Sequence, residues 1–221
     1  MEKSAPEKRR ITKSRPETLR KRKAILEAAT AVFGQRGYAS ATLAEIADQV
    51  GMTHAGVLHH FGSKRNLLLE TVGYRDVSDL ARIGRETMPP GRAKFDHLVE
   101  TAFRNAERPG IVQAFVVLST EAITDEHPAL DYFQLRYQVL RDEVSGCFRE
   151  LCAAEGVTEP DTINHAAASI LAVMDGLQYQ WLLNPDQIDL GEASKFAIYA
   201  LVDAVLPPQP PDGPGGKRPA A

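Results

Sequence analysis

The residues best suited to chemistry lie between Thr42 and Phe61, in the stretch TLAEIADQVGMTHAGVLHHF. Thr53, His54, Ala55, Gly56 and Val57 open a short apolar-periodic segment directly after Gly51-Met52. An imidazole at His54 can donate to a guanine or thymine acceptor, and a Val57 methyl can touch the methyl of thymine. Ala55 and Gly56 are small, so the backbone can come close to a base edge. His59 and His60 follow further along, and Lys64 falls at the first turn of the next helix, placed for phosphates. The chemistry is non-covalent reading of double-stranded DNA. A metal site is not expected. His54, His59 and His60 stand at i, i+5 and i+6, and none of these pairs has the i, i+4 spacing that brings two ligands together on a helix. Neither a nucleophile elbow, nor a phosphate-binding loop, nor a dinucleotide fingerprint occurs, so an enzyme and a cofactor are not expected.

Reading a base edge requires a helix held at a steep angle, and the flanking residues supply the means. Thr42 and Glu45 form a capping-box pattern that starts one helix, which ends at Val50-Gly51. Thr53 caps the next, which ends near Phe61-Gly62. Ala47, four residues before Gly51, is small enough for two helices to cross closely, and glycine at the turn tolerates a positive φ. Ile46, Val50, Met52 and Val57 or Leu58 then face a shared interior. The spacing predicts a preceding helix over about 16–33, with Leu19, Ile25, Leu26, Ala29, Val32 and Phe33 as its stripe and Gly34 and Gly37 ending it. A fourth helix opens at Ser63 and carries Leu67, Leu68, Val72, Val77, Leu80 and Ile83 as far as about Glu86. Further helices are predicted at about 92–107, 110–125, 128–155, 161–183 and 191–206, punctuated by Pro109-Gly110, Pro128, Gly156, Pro160 and Pro185. No segment alternates apolar and polar residues for long, so the fold class is all-α.

Charge separates the two halves. Residues 1–75 carry 14 Lys+Arg against 7 Asp+Glu, and the remainder carries 12 against 22, although the whole chain is only −3. A basic first third suits a polyanion. Its basic run, Lys8, Arg9, Arg10, Lys13, Arg15, Arg20, Lys21, Arg22 and Lys23, can follow phosphates or enter a minor groove. The expected organisation is a disordered basic arm over 1–15, a DNA-binding domain over 16–62, a helical domain over 63–206 and a disordered Pro/Gly-rich tail over 207–221. No apolar run approaches the ~18 residues of a membrane span, and the basic start lacks the apolar stretch of a signal peptide, so a cytoplasmic protein is expected. Cys147 and Cys152, on one helix, would sit roughly 8–9 Å apart, too far to bridge, and are read as free thiols.

The segment Arg22–Leu69 resembles the TetR family of bacterial regulators. The likeness is carried by Ile25-Leu26-Glu27-Ala28-Ala29, Phe33, Gly37-Tyr38, Ala41-Thr42, Ile46-Ala47, Gly51-Met52-Thr53, Gly56-Val57-Leu58, His60-Phe61 and Ser63-Lys64. It implies an all-α homodimer with a three-helix DNA-binding head and a C-terminal regulatory domain. It implies DNA contacts at Thr42, Thr53, His54, Gly56, His59, His60 and Lys64. The family usually has tyrosine where this chain has His59. A histidine can still donate to a phosphate there, more strongly when protonated, which predicts a mild pH dependence of DNA affinity.

The resemblance also implies that the last two helices of each subunit build a four-helix bundle with the partner's. Ile170, Met174 and Leu177 on one, and Phe196, Ala200, Leu201 and Ala204 on the other, are the expected interface. An effector pocket is expected among the helices of 92–183, lined by His97, Phe103, Gln113, Phe115, Phe133, Tyr137, Gln178 and Trp181. The function implied is a repressor released from a palindromic operator by a small molecule. Two other readings are an all-α module that holds a protein partner, and a DNA-binding regulator controlled by a partner or by thiol oxidation.

Overall fold

The computed structural model describes residues 14–82, 91–124, 126–154 and 160–206. The expected disordered arm and tail fall almost wholly outside these residues, as does the stretch from Ile83 to Glu86. Among the described residues there are nine helices and no strand: α1 (Ser14–Ser40), α2 (Leu43–Gln49), α3 (His54–Phe61), α4 (Lys64–Arg82), α5 (Ala93–Ala106), α6 (Pro109–Glu121), α7 (Leu130–Ala154), α8 (Pro160–Leu183) and α9 (Leu190–Val205).

The chain divides into two compact units. One comprises residues up to Ser78 together with Gln113–Leu130, and the other comprises Asp79–Val112 and the residues from Asp131 onward. The division therefore does not fall at residue 62. The first fifteen residues of α4 and most of α6 belong with the head.

The head is built around a dry interior. Ile25, Ala29, Phe33, Ile46, Val57, Leu67 and Leu68 are fully buried, and Ala47 is nearly so. Leu19, expected on the same stripe, is exposed, six residues before Ile25, the first buried residue of α1. α1 also runs further than its glycines suggest. Gly34 stays helical and lies against Ala114, where a Cβ would sit 3.1 Å from the Ala114 backbone. The break comes at Gly37, with φ 70° and ψ 177°. Only one of the two glycines carries the positive φ that stops a helix; the other serves close approach.

The second unit packs α5, α7, α8 and α9 around Phe95, Val144, Phe148, Ala167, Ile170, Ile198 and Val202, all fully buried. The Phe95 and Phe148 rings lie 4.8 Å apart at 50°. Lys94 is also buried, with its ammonium 3.3 Å from the Glu143 carboxylate. Ile170 and Met174 lie in this intramolecular core, which corrects their assignment to a dimer interface. Leu201 packs partly against the same core, and Leu177 is half-buried. An α-helix with apolar residues on two faces does not reveal in its sequence which face meets its own chain.

Candidate nucleic-acid interface

The helix-turn-helix forms from local hydrogen bonds that the sequence dictates. The Thr42 Oγ1 accepts the Glu45 N–H at 3.2 Å, while the Glu45 carboxylate accepts the Thr42 N–H at 2.9 Å. This reciprocal capping box satisfies two otherwise orphaned donors and fixes the start of α2. The Thr42 N–H first, and then the Thr42 hydroxyl, which donates to the same carboxylate at 2.9 Å, hold the Glu45 carboxyl below the usual carboxylate range. At the turn, the Ala47 carbonyl accepts the Met52 N–H at 2.9 Å and the Val50 N–H at 3.2 Å, and Gly51 takes φ 62°. The Thr53 hydroxyl then accepts the Gly56 N–H at 3.1 Å and starts α3. A Cβ on Gly56 would stand 3.1 Å from the Met52 methyl and 3.4 Å from that hydroxyl, so the cap itself favours a small residue there.

The face presented outward is what a reader of the major groove needs. Thr53, His54, Ala55 and His59 are exposed, and Gly56 and His60 are half-exposed. Val57 is not available: it is fully buried and forms part of the floor on which α3 rests. That corrects its expected contact with a base. Val57 and Leu58 are both apolar, and only the packing shows that Val57 is the one turned fully inward.

The cations are more committed than their sequence suggests. The Arg22 guanidinium donates to the His60 carbonyl and to Glu70, and lies 4.3 Å over the Phe61 ring. It ties α1 to the end of α3 and does not belong to a free basic arm. Lys21 and Lys23 pair with Glu17 at 2.9 Å and Glu27 at 3.7 Å along the same helix. Lys64 donates to the Ala39 carbonyl at 3.3 Å and lies 4.6 Å over the Tyr38 ring. Partial burial lowers its ammonium below the usual lysine value, with Glu121 and Glu45 acting in the opposite sense.

Burial pushes the His60 imidazole down, and the neighbouring His59, Arg22 and Lys21 push it the same way. A histidine whose folded value lies below its unfolded value stabilises the fold while neutral. That contribution is complete above the unfolded value of about 6.5 and is lost as pH falls through the lower folded value. Thermal melting between pH 8 and 5 is therefore expected to show a loss of stability on acidification, and His60→Gln is expected to reduce it. Identical acid profiles for the two proteins would remove His60 from the account.

The expected pocket residues do not form one group. Gln113, exposed, and Phe115, buried, lie on the part of α6 that belongs with the head. The second unit holds the other six. His97, Phe133, Gln178 and Trp181 are buried there. The Tyr137 hydroxyl donates to the Asp175 carboxylate at 2.6 Å, and the Gln178 amide donates to the Met174 carbonyl at 3.1 Å. Phe103 is 39% exposed and packs directly on Gly191, where any side chain would collide with its ring. Sequence reading missed Asp175, Glu121 and Lys94, because no local pattern marks a partner so distant along the chain. Among the described residues no group of histidine, cysteine or carboxylate side chains is arranged to hold a metal, and no helix is long and apolar enough to cross a membrane.

A capped two-helix unit with a glycine turn, its second helix exposed at the N-terminal end, defines a helix-turn-helix DNA-binding regulator. Residues 25–71 match the bacterial regulatory proteins of the tetR family, and residues 90–207 match the C-terminal domain of the BetI-type transcriptional repressor. The chain belongs to the tetR family of bacterial regulatory proteins. It is 29% identical over 205 residues to the transcriptional regulator BetI of Agrobacterium fabrum, covering 90% of this chain and 92% of that protein. Its fold is shared with a transcriptional regulator from Pseudomonas aeruginosa PAO1 (TM-score 0.70, 23% identity, 88% of this chain and 94% of that one). It is shared also with the regulator FadR of Bacillus subtilis in complex with stearoyl-CoA (TM-score 0.67, 17% identity, 81% and 97%).

Proposed function

We propose that this protein is a homodimeric repressor that reads a palindromic operator with α3 and is released from it by a small-molecule effector. The observation that carries the reading is the exposed N-terminal face of α3, with Thr53, His54, Ala55 and His59 outward and Val57 anchoring it from beneath. Thr42, Gly56, His60 and Lys64 complete the DNA-facing set. A dimer presents two such helices to successive major grooves, about 34–36 Å apart or a multiple of that.

The dimer face lies on the outer sides of α8 and α9. Tyr179 and Leu183 are 54% and 69% exposed, and Phe196 is 78% exposed. Ala200 and Ala204, one and two turns after Phe196, are exposed as well, and small residues let helices approach closely. Apolar rings left in water on adjacent helices call for a covering surface, and a second copy supplies one by symmetry. Phe196→Glu is expected to convert the dimer to a monomer in sedimentation and to weaken operator binding by more than a hundredfold, because one half-site is lost. A dimeric Phe196→Glu protein with unchanged affinity would contradict this face.

The effector is proposed to bind in the second unit, around Phe133, Tyr137, Gln178, Trp181 and His97. The Tyr137–Asp175 pair and the Gln178 amide would orient a polar group, and the aromatic rings would cover apolar area. The complex of FadR, a protein of the same fold, with stearoyl-CoA supports this reading. Thiol control is disfavoured. Cys147 and Cys152 are free and buried, and burial raises both thiols, which suppresses the reactive thiolate.

A further inference from the structure

Three side chains from outside α1 converge on its last turn. The break at Gly37 interrupts the helical ladder and leaves the next amides in need of acceptors. Glu121, the last residue of α6, supplies them. Its Oε2 accepts the Tyr38 N–H at 2.5 Å and its Oε1 accepts the Ala39 N–H at 3.0 Å. A Cβ at position 37 would stand 2.9 Å from the same Oε2, so Gly37 is required both by its positive φ and by this carboxylate. Lys64 holds the turn from its other side, through the Ala39 carbonyl and the face of Tyr38. His127 meets the Tyr38 ring edge-on at 5.3 Å. Its Nδ1 accepts the Ala129 N–H at 3.3 Å, which leaves the proton of the neutral ring on Nε2. That Nε2 is buried without a hydrogen-bond partner, 3.8 Å from Glu121 Oε2.

We propose that Glu121 is a positioning residue for DNA binding: by holding the Tyr38 and Ala39 amides it sets the turn that supports Lys64 and leads into the Thr42 cap. Hydrogen bonds from amides to a carboxylate are stronger than those to a neutral acceptor and fix direction as well as distance. The turn they fix reaches Ala39, three residues before the Thr42 cap of α2, and the same residue provides the carbonyl that Lys64 holds. Glu121 is thus a working part of the DNA-reading unit although it lies far from the helix-turn-helix in sequence. Glu121 ends α6, whose Gln113–Glu121 portion belongs to the head.

This inference rests on the reading that Lys64 and α3 face DNA, and the test separates the two. The probe is the duplex that the wild-type full-length protein enriches from a random pool. Its affinity is measured across a salt series for the wild type and for Glu121→Gln, Glu121→Ala, Lys64→Met and the Lys64→Met/Glu121→Gln pair. Glu126→Gln, which removes an exposed carboxylate five residues away, controls for net charge. Glu121→Gln, which keeps one acceptor oxygen, is expected to bind roughly fivefold more weakly, and Glu121→Ala more than tenfold. The salt slope of Glu121→Ala is expected to fall by about one, the value for one lost phosphate contact. Glu126→Gln is expected to stay within twofold of wild type. In the double variant the Glu121→Gln loss is expected to shrink, because its effect passes through Lys64. Glu121→Gln binding within twofold of wild type, or losses that multiply fully in the double variant, overturns the proposal. Should Glu121→Ala fail to fold, the Glu121→Gln and double-variant arms decide alone. A wild-type protein that enriches no duplex defeats the underlying DNA reading, which is a separate outcome.

Discussion

Ala47→Leu is expected to reduce specific operator binding at least a hundredfold, toward the level of non-specific DNA. Ala47 is 1% exposed on α2, two residues before the end of that helix. Its carbonyl receives two of the amides that close the turn, from Val50 and Met52. Three added carbons must enter an interior that already holds Ile46 and Val57, both fully buried. Overpacking of this kind costs roughly 1–3 kcal/mol when the structure can yield. Here the part expected to yield is α3, because it is only two turns long and is held by one cap, its apolar floor and the Arg22 tie at its C-terminal end. Tilting α3 removes base contacts and leaves phosphate contacts largely intact. Specific binding exceeds non-specific binding by about 10³–10⁷-fold in proteins of this kind, so most of the affinity for the operator is at stake. The loss should be nearly absent on random-sequence DNA, and the salt dependence on that DNA should be unchanged. Competition binding with operator and random duplexes checks both. An Ala47→Leu protein that binds its operator within threefold of wild type would show that α2 and α3 do not cross closely at this residue.

Phe148→Ala is the largest stability change expected in the C-terminal unit. Phe148 is fully buried and lies against Phe95, equally buried, in the cluster that joins α5, α7, α8 and α9. Removing a buried phenyl ring costs about 3–5 kcal/mol through lost transfer energy and the cavity left behind. Domains have only about 5–15 kcal/mol of stability in total, so the variant should be close to unfolding at growth temperature. For a chain of this size the melting temperature should drop by about 6–20 °C. Urea unfolding followed by circular dichroism, at the same protomer concentration for both proteins, measures the change with any contribution of association held fixed. A cost below about 1 kcal/mol would mean that the cluster refills the cavity, which two packed rings on different helices make difficult.

The same two regions show what the sequence discloses and what it withholds. α2 and α3 were legible because their signals are local: Thr42 with Glu45, Thr53 with Gly56 and Gly51 at the turn all act within four residues, and all are made as their spacing suggests. Val57 was legible only as one of two inward candidates, since neighbouring apolar residues on a short helix differ by 100° in direction. α8 and α9, the helices of the proposed dimer face, were legible as apolar but not as to side. Ile170 and Met174 turn inward and Phe196 outward, a choice made by α5 and α7, which lie elsewhere in the chain. Glu121 carried no signal. Its partners lie 82 and 83 residues away and are backbone amides, which a sequence never marks. Lys94 was hidden likewise, because a buried lysine is recognised only by its partner Glu143.

The most direct test of the central claim is selection of bound sequences from a random double-stranded DNA pool by the purified full-length protein at physiological salt. The account predicts enrichment of an inverted repeat whose half-sites are separated by about one helical turn or a multiple of it. It further predicts that His54→Ala relaxes the preference at one position in each half-site. Enrichment of no sequence, or of an asymmetric site indifferent to His54, would contradict a symmetric repressor that reads its operator with α3.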